Sequence, residues 1–448
     1  MTRVITYGTY DLFHEGHKRL LERAKELGDY LIVGVTSTAF DESRGKLDVS
    51  QSLVERIENV RKSGVADEII VEEFQGQKIR DIIEHKVDIF TVGSDWMGKF
   101  DYLNEYCKVV YLDRTKGVSS TKLRSEEGVG IQRLGIVGAG RVAHRFIAEV
   151  RYVSGLEVDS VYDPDHAAAM EFVQKYDLRH AAPDYDEMLN DVGAVYIASP
   201  HASHVEYARK AIDAGVHVLC EKPLSLTAAD AEDLYARAEA NSVVLLEAIK
   251  TAFCPGFRRM VVLARSGSIG QIRSIDATFT KLMEPGREFE GPDGGAISEL
   301  ATFPLLAAVK LLGTEFEDVR TTKLVPEGSD VDTFARIDLR TEKATATCRA
   351  GIGVKAEGSL VVAGTEGYVY VPAPWWLTNY YEERFEEPGV SRRYYYAFDG
   401  DGMRYEISEF HRMIREGRTS SFMLTPQESI AIARLIETAR ADNTAVLR

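Results

Sequence analysis

Two histidines three residues apart, His14 and His17, close the stretch TYGTYDLFHEGH, which overlaps and runs on from the short apolar run Val4 to Tyr7. If a strand ends at Tyr7 and a helix starts near His14 or Glu15, Gly8 lets the backbone approach a ligand and both imidazoles share one face of the first helical turn. Free N–H groups and the positive end of the helix dipole meet there, so the set predicts a site for the oxyanions of a nucleoside triphosphate. Taken alone, H-x-x-H more often means one capping histidine and one on the surface. A second set lies in GIVGAGRVA, where Gly138, Gly140 and Ala143, with Arg141 and Val142 between them, follow a predicted strand and open a predicted helix. That spacing suits the pyrophosphate of a dinucleotide. Asp163 stands about twenty residues further on, at the end of VDSVYD, where a carboxylate binds ribose hydroxyls and repels a 2′-phosphate, which favours NAD over NADP.

The elements that must position these groups are legible as alternation. Apolar strand-like runs, YLIVGVTS, DEIIVEE, VDIFTVG and KVVYLD, alternate with longer amphipathic stretches as far as about residue 128, the pattern of a parallel α/β sheet. The polar stretch SEEGVGIQR (Ser125 to Arg133) interrupts it, and a new strand, turn and helix begin at Leu134. Alternation continues to about Lys250, and after TAFCPGF the segments become longer strands rich in Thr, Val and Tyr with few helices. The expected chain is therefore α/β, with Rossmann-like domains over residues 1–128 and 131–250 and an α+β domain over 251–448.

Composition bounds the function. A chain of 448 residues exceeds one domain of the usual size, roughly 100–200 residues. A net charge of −16 works against a general nucleic-acid surface, so any phosphate must be met locally. Cys107, Cys220, Cys254 and Cys348 form no C-x-x-C pair, which argues against a disulfide framework or a structural zinc site. The longest apolar runs, such as VVLLEAI (Val243 to Ile249), fall short of the ~18–20 residues of a membrane helix, and MTRVITYG lacks a secretory apolar region. No membrane association and a cytoplasmic location are the expectation.

The pattern G-T-Y-D-L-F-H-x-G-H resembles the signature of the nucleotidyltransferase superfamily that contains the cytidylyltransferases. Residues 1 to about 128 look most like the glycerol-3-phosphate cytidylyltransferases, through LLERAKELGDYLIVGV, VGSDWMGKFDYL and, most specifically, RTKGVSSTK (Arg114 to Lys122). The resemblance implies that His14 and His17 hold the triphosphate and stabilise the α-phosphoryl transition state. It implies backbone contacts from Thr9 and Tyr10, a shaping role for Asp11, and phosphate binding by Lys46 and Arg44. Asp95 is expected near the nucleotide, and Arg114 with Ser119 and Ser120 on cytidine and phosphates. Mg²⁺ is implied as a companion of CTP, with no side-chain metal ligands. Gly64 stands where the family commonly has an arginine, Ser94 replaces an acid before Asp95, and Ser120 replaces the usual Thr, which leaves the acceptor alcohol open.

Further on, YIASPHASHVEYA and VLCEKPLSLT complete a spaced set, G-x-G-x-x-A, S-P-x-x-x-H and E-K-P, that is similar to the glucose–fructose oxidoreductase and inositol dehydrogenase family, Gfo/Idh/MocA. The resemblance runs from Leu134 to the C-terminus and implies a mixed open sheet bearing the substrate pocket after Thr251. It implies Lys222 at nicotinamide and substrate, Ser199, Pro200, His204 and Glu221 lining the cofactor site, and Glu299 in place of the family's acid. An ammonium near a carbonyl oxygen polarises it and offsets charge as hydride arrives. Where the family places a proton-carrying His or Tyr, four residues after the acid, this chain has Phe303, which has no ionisable group.

The two resemblances together imply a bifunctional enzyme. One half would make a CDP-polyol and pyrophosphate from CTP and a polyol phosphate, glycerol phosphate first among candidates. The other would use NAD(H) on a related small polyol or carbonyl compound, in a homodimer or higher homo-oligomer. Two alternatives stay open: a catalytically silent NAD-binding module that regulates or oligomerises the transferase, and transfer of another nucleotide or to another phosphorylated alcohol.

Overall fold

The computed structural model describes residues 1–448 except 44–48, 50, 75, 114–131, 388, 397–399, 443–444 and 448, and except the side chains of residues 42, 43 and 95. The chain divides into two compact units, Met1–Ile131 with Tyr152–Glu157, and Gln132–Arg151 with Val158–Arg448.

The first unit is built on a parallel sheet of β1 (Arg3–Gly8), β2 (Tyr30–Thr36), β3 (Glu68–Glu72), β4 (Ile89–Gly93) and β5 (Lys108–Leu112), in the order β3-β2-β1-β4-β5. Parallel strands need crossovers, and α1 (Glu15–Lys25), α2 (Thr38–Ser43), α3 (Leu53–Lys62) and α4 (Gln77–Glu84) lie between them in sequence. The central strands are apolar without alternation because they are covered on both faces: Val4, Ile5, Leu31, Ile32, Val33 and Val35 are all fully buried. Leu21, Ala24 and Val60 complete the core on one face, while Ile82, Val87, Phe90 and Leu103 complete it on the other. Helix α3 starts in a capping box, with Ser52 and Glu55 each bonded to the other's backbone N–H. It stops at Ser63, followed by Gly64 at φ 68°, where a side chain would be strained. The glycine that departs from the family's arginine is thus a helix terminator.

The second unit holds two sheets. Strands β6 (Gln132–Val137), β7 (Leu156–Tyr162), β8 (His180–Ala181), β9 (Ala194–Ile197), β10 (His217–Glu221) and β11 (Leu245–Ala248) run in the order β11-β10-β9-β6-β7-β8. That is the doubly wound order of a dinucleotide-binding fold, with its switch point between β6 and β9. Its helices are α5 (Arg141–Val150), α6 (His166–Tyr176), α7 (Tyr185–Asp191), α8 (His201–Asp213) and α9 (Ala228–Ala240). After α10 (Lys250–Phe253) and α11 (Pro255–Arg265) the chain enters a nine-stranded sheet. Its strands are β12 (Ile272–Thr280), β13 (Asp318–Leu324), β14 (Phe334–Arg340), β15 (Thr345–Gly351), β16 (Leu360–Gly364), β17 (Gly367–Val371), β18 (Tyr380–Phe385), β19 (Ser391–Tyr395) and β20 (Ala445–Leu447). Only the β12–β15 and β13–β20 pairs are parallel among those whose register is described, so this sheet is mixed.

One face of the mixed sheet is apolar. On β14, Ala335, Ile337 and Leu339 are buried while Arg336 and Arg340 are exposed, the period-2 pattern of a half-covered strand. The cover is α12 (Ala296–Leu300), α13 (Thr302–Leu312) and, beyond α14 (Met403–Glu416), α15 (Pro426–Ala441). Nine of the eleven residues of α13, TFPLLAAVKLL, are buried, because it is packed by β12 and β15 on one side and by α12 and α15 on the others. Helix α14 returns to pack on α5, β10 and β11, so the two sheets of this unit share one body. Among the described residues, no helix is long and apolar enough to cross a membrane.

Candidate active sites

In the first unit the loop after β1 leaves the sheet at its switch point, beside β4. His14 is the N-cap of α1: its Nδ1 accepts from the backbone N–H groups of Gly16 (3.0 Å) and His17 (3.3 Å). Two of the first N–H groups of the helix are thereby used, which corrects the expectation that they stand free for a triphosphate. An Nδ1 that accepts bears no proton, so the neutral His14 ring carries its proton on Nε2. The His17 ring stacks on that of His14, with centroids 3.8 Å apart and 19° between planes, which sets the two imidazoles side by side at the start of α1.

Gly8 also has a packing reason that the sequence did not show. A Cβ there would lie 2.9 Å from Cζ of Tyr10, whose ring folds back into the core and is 2% exposed. The phenol is a core group, and Tyr10 can meet a nucleotide only through its backbone. Tyr10 (φ 53°) and Leu12 (φ 47°) both sit in the left-handed region, at a cost of about 1–2 kcal/mol each, so the loop must be held from outside. Arg56 does this. Buried beside Asp41 (3.5 Å), it donates to the carbonyls of Thr9 (2.9 Å), Thr36 (2.8 Å) and Gln51 (3.2 Å) and to Thr38 Oγ1 (3.0 Å). Thr9 Oγ1 donates to Asp41 Oδ1 (3.1 Å), and Asp11 Oδ1 accepts from the Gln51 N–H (2.9 Å). Thr9 and Asp11 are buried, so their side chains shape the loop.

Sequence reasoning missed Arg56, which sits on a helix with no motif. Its tie to the loop is a tertiary fact. Replacing it with Met removes four hydrogen bonds that hold the loop and the buried guanidinium beside Asp41, and the expected cost is about 3–5 kcal/mol, read as a lowered urea midpoint for the first unit at unchanged slope. Arg44, Lys46, Arg114, Ser119 and Ser120 lie outside the described residues, as does the side chain of Asp95.

In the second unit the turns after β6 and β9 meet at the switch point. Gly138 has φ 96°, and a Cβ there would lie 2.9 Å from the carbonyl oxygen of Ala198, so only glycine fits. Gly140 is the N-cap of α5 without a side-chain cap, nothing lies within 4 Å of where its Cβ would be, and the first N–H groups of the helix follow at Arg141 and Val142. An open, uncapped helix start of this kind fits a pyrophosphate. Ala143 is fully buried against the sheet, and Arg141 lies 3.5 Å from Glu288. Asp163 accepts from the N–H of Ala139 (2.8 Å) through Oδ2 and from that of Asp165 (2.8 Å) through Oδ1. Its carboxylate thus braces the glycine turn and keeps one further acceptor site on each oxygen.

The turn after β9 carries Ser199 and Pro200 into α8, and Ser199 Oγ accepts from Ser203 Oγ (2.8 Å). His204 is fully buried, with Nδ1 2.8 Å from the Pro223 carbonyl and Nε2 2.9 Å from that of Ser199. Burial, reinforced by His201, pushes its pKa down to about 3. Both ring nitrogens are turned to backbone carbonyls, and a neutral ring, with one N–H, donates to one of the two, so the side chain of His204 is engaged between the Ser199 and Pro223 backbones. Glu221 Oε1 accepts from Tyr196 OH (2.7 Å).

Lys222 Nζ donates to the backbone carbonyl of Glu299 (2.9 Å) and stands 5.9 Å from the Phe303 ring centre. The Glu299 carboxylate turns away to His201, whose Nε2 lies 2.9 Å from Oε1, with Arg287 3.8 Å off. Burial would raise the Glu299 pKa, but the His201 contact and the charges of Lys222 and Arg287 outweigh it and bring it to about 2. Lys222 and Glu299, 77 residues apart in sequence, are thus brought together. His201 was missed: the S-P-x-x-x-H motif draws attention to His204, yet it is His201, the buried first residue of α8, that lies against the Glu299 carboxylate.

Comparison with known proteins agrees with this division. Residues 5–126 match the family described as cytidylyltransferase-like. Residues 132–248 match an oxidoreductase family with an NAD-binding Rossmann fold, and residues 257–370 the GFO/IDH/MocA C-terminal domain. The chain is 48% identical over 126 residues to glycerol-3-phosphate cytidylyltransferase of Bacillus spizizenii, covering 28% of this chain and 97% of that one. It is 26% identical over 320 residues to trans-1,2-dihydrobenzene-1,2-diol dehydrogenase of Danio rerio, covering 69% and 96%. A 3-ketoreductase from Actinomadura kijaniata, solved with NADP and TDP-benzene, aligns at a TM-score of 0.63 with 23% identity over 70% of this chain and 98% of that one, a likeness of fold. The glycine turn, the helix starts and the histidine pair are thus those of two enzyme families, and the chain belongs to both: it is an enzyme whose N-terminal cytidylyltransferase-like domain is fused to C-terminal domains of the GFO/IDH/MocA oxidoreductase family.

Proposed function

We propose that the first unit transfers a cytidylyl group from CTP to a polyol phosphate, glycerol phosphate first among acceptors, and that the second carries out NAD(H)-dependent oxidoreduction of a related small polyol or carbonyl compound. The observation that carries the reading is the stacked His14 and His17 pair at the switch point of a parallel sheet, in a chain nearly half identical to glycerol-3-phosphate cytidylyltransferases over that unit. An acceptor phosphate oxygen attacks the α-phosphorus of CTP, the bond to the β-phosphate oxygen breaks, and pyrophosphate leaves. Such a transfer needs positioning and charge neutralisation, which ring N–H donors and Mg²⁺ carried by CTP would provide, and no covalent nucleophile. Arg44, Lys46, Asp95, Arg114, Ser119 and Ser120 are assigned to nucleotide and phosphates by resemblance.

In the second unit a bound dinucleotide would supply or accept hydride. The Gly138 to Ala143 turn would take its pyrophosphate, Asp163 its ribose, and Lys222 would offset charge on the substrate oxygen. Because a 2′-phosphate would face the Asp163 carboxylate, NADH is expected to bind more tightly than NADPH, with Asp163→Ala narrowing the gap. Calorimetry showing NADPH preferred by the unaltered protein rejects this. Phe303 favours a second reading, in which this unit binds a dinucleotide without turning it over. We also assign a cytoplasmic location and a homo-oligomeric state. Incubation with each NTP and a panel of polyol phosphates, with pyrophosphate detected, tests the first half; pyrophosphate from ATP and another acceptor, and none from CTP, rejects it. NADH absorbance against keto and aldehyde compounds tests the second.

A further inference from the structure

The half-buried ammonium of Lys222 ends on a backbone oxygen, so its place depends on where a stretch of backbone lies. That oxygen is the carbonyl of Glu299 (2.9 Å), in the last turn of α12, where helix carbonyls have no N–H partner within their own helix and accept one from outside. Helix α12 is five residues long, too short to fix itself, since the first turn of a helix orders three residues for a single hydrogen bond. Its start is held by a segment distant in sequence. Asp332, just ahead of β14, takes two successive N–H groups there: Ala296 donates to its carbonyl oxygen (2.8 Å) and Ile297 to its Oδ2 (3.0 Å). The carboxylate comes so close that a Cβ on Gly295 would lie 2.4 Å from Oδ1, and Gly295, at φ 103°, has none. We infer that Asp332 is a positioning residue of the oxidoreductase: by fixing the start of α12 it sets the Glu299 carbonyl that holds Lys222 Nζ. The inference rests on the reading of Lys222 as the group that offsets charge on the substrate oxygen.

The first N–H groups of a helix lack carbonyl partners four residues back, and a carboxylate there both accepts a hydrogen bond and meets the positive end of the peptide dipoles. The preceding N–H, that of Gly295, goes to the Glu288 carbonyl (2.9 Å). Backbone oxygens thus hold two of these three N–H groups, and the Asp332 side chain makes the contact that a substitution can remove. The rest of α12 is secured separately: all five of its residues are buried, and it packs on β14, β15, α13 and α15. Removing the Asp332 side chain therefore releases the helix start without unfolding the segment. A small shift suffices, because about 1 Å of misplacement can cost on the order of 10²-fold in rate. Nothing local in SDVDTF marks the residue, which lies 35 positions from Ile297 in sequence.

The test uses the full chain, NADH and a keto or aldehyde compound that the unaltered protein reduces, with NADH sites counted by calorimetry so that rates are expressed per site. Asp332→Ala is expected to lower kcat per site on the order of 10²-fold, with the dissociation constant of NADH unchanged within a few-fold. A merely structural residue would lower the number of sites and the total rate together and leave the rate per site as it was. Two further variants separate place from charge. Asp332→Asn keeps an oxygen acceptor at the same reach and should stay within a few-fold of the unaltered rate. Asp332→Glu keeps the charge but sets one more methylene beside Gly295, and should lose activity as Asp332→Ala does. Unaltered kcat per site in Asp332→Ala, or an Asp332→Asn variant no faster than Asp332→Glu, overturns the inference while the oxidoreductase reading stands. If Asp332→Ala yields no folded protein, the comparison of Asn with Glu decides by the same criterion. NADH binding by the unaltered protein with no turnover of any carbonyl compound overturns the oxidoreductase reading and this inference with it.

Discussion

His17→Ala lowers kcat for CTP-dependent pyrophosphate release by on the order of 10²-fold or more, while the KM for CTP changes far less. The split follows from where the ring acts. Charge develops on the α-phosphoryl oxygens only as the bond to the leaving pyrophosphate stretches, and a preorganised donor is worth most at that moment, about 10²–10³-fold for one group. The ring is preorganised: it lies nearly parallel to His14 with centroids 3.8 Å apart, and its centroid is 5.5 Å from that of Tyr10 in an edge-on contact. His14→Ala should lose as much activity and, in addition, about 1 kcal/mol of stability, because it removes the cap of α1 as well as a donor. Measuring pyrophosphate release and thermal unfolding on both variants separates the two roles. A His17→Ala enzyme within a few-fold of the unaltered rate would remove the histidine pair from the chemistry.

Lys222→Ala abolishes measurable NADH turnover, a loss on the order of 10³-fold or more, and leaves the dissociation constant of NADH within a few-fold. The charge on a carbonyl oxygen peaks as hydride arrives, and the half-buried ammonium of Lys222 is the group proposed to meet it. In the proposed reading cofactor affinity comes from the Gly138 to Ala143 turn and Asp163, whereas Lys222 Nζ is bonded to the Glu299 carbonyl. Lys222→Arg should rescue poorly, since a planar guanidinium cannot replace a compact ammonium held by one carbonyl oxygen. Stopped-flow absorbance at saturating NADH, beside calorimetry, checks both halves; a Lys222→Ala enzyme that binds NADH tenfold more weakly yet turns over normally would make the lysine a cofactor residue only.

The elements were legible because each has a local cause. Unbroken apolar runs mark strands covered on both faces, as in β1 and β2, and the G-x-G-x-x-A turn follows from backbone limits that hold wherever a strand turns directly into a helix. His14, His17, Gly138, Gly140, Asp163 and Lys222 could be named from their neighbours in sequence for the same reason. What a side chain does in three dimensions could not. His14 and His17 were visible as a pair, but that His14 spends Nδ1 on capping α1 depends on the path of the loop before it. Gly8 was visible as a glycine, but not that the ring of Tyr10 folds over it and leaves no room for a Cβ. His204 and His201 are indistinguishable by type and three residues apart; burial against Pro223 and Ser199 engages one in backbone contacts, and only the fold brings the Glu299 carboxylate to 2.9 Å from Nε2 of the other. Sequence alone therefore determined which chemistries this chain holds, because motifs are local and their backbone geometry is short-ranged. Tertiary structure decided which atoms remain available to perform them, because availability depends on partners such as Arg56 for Thr9, 47 residues away, and Glu299 for Lys222, 77 residues away.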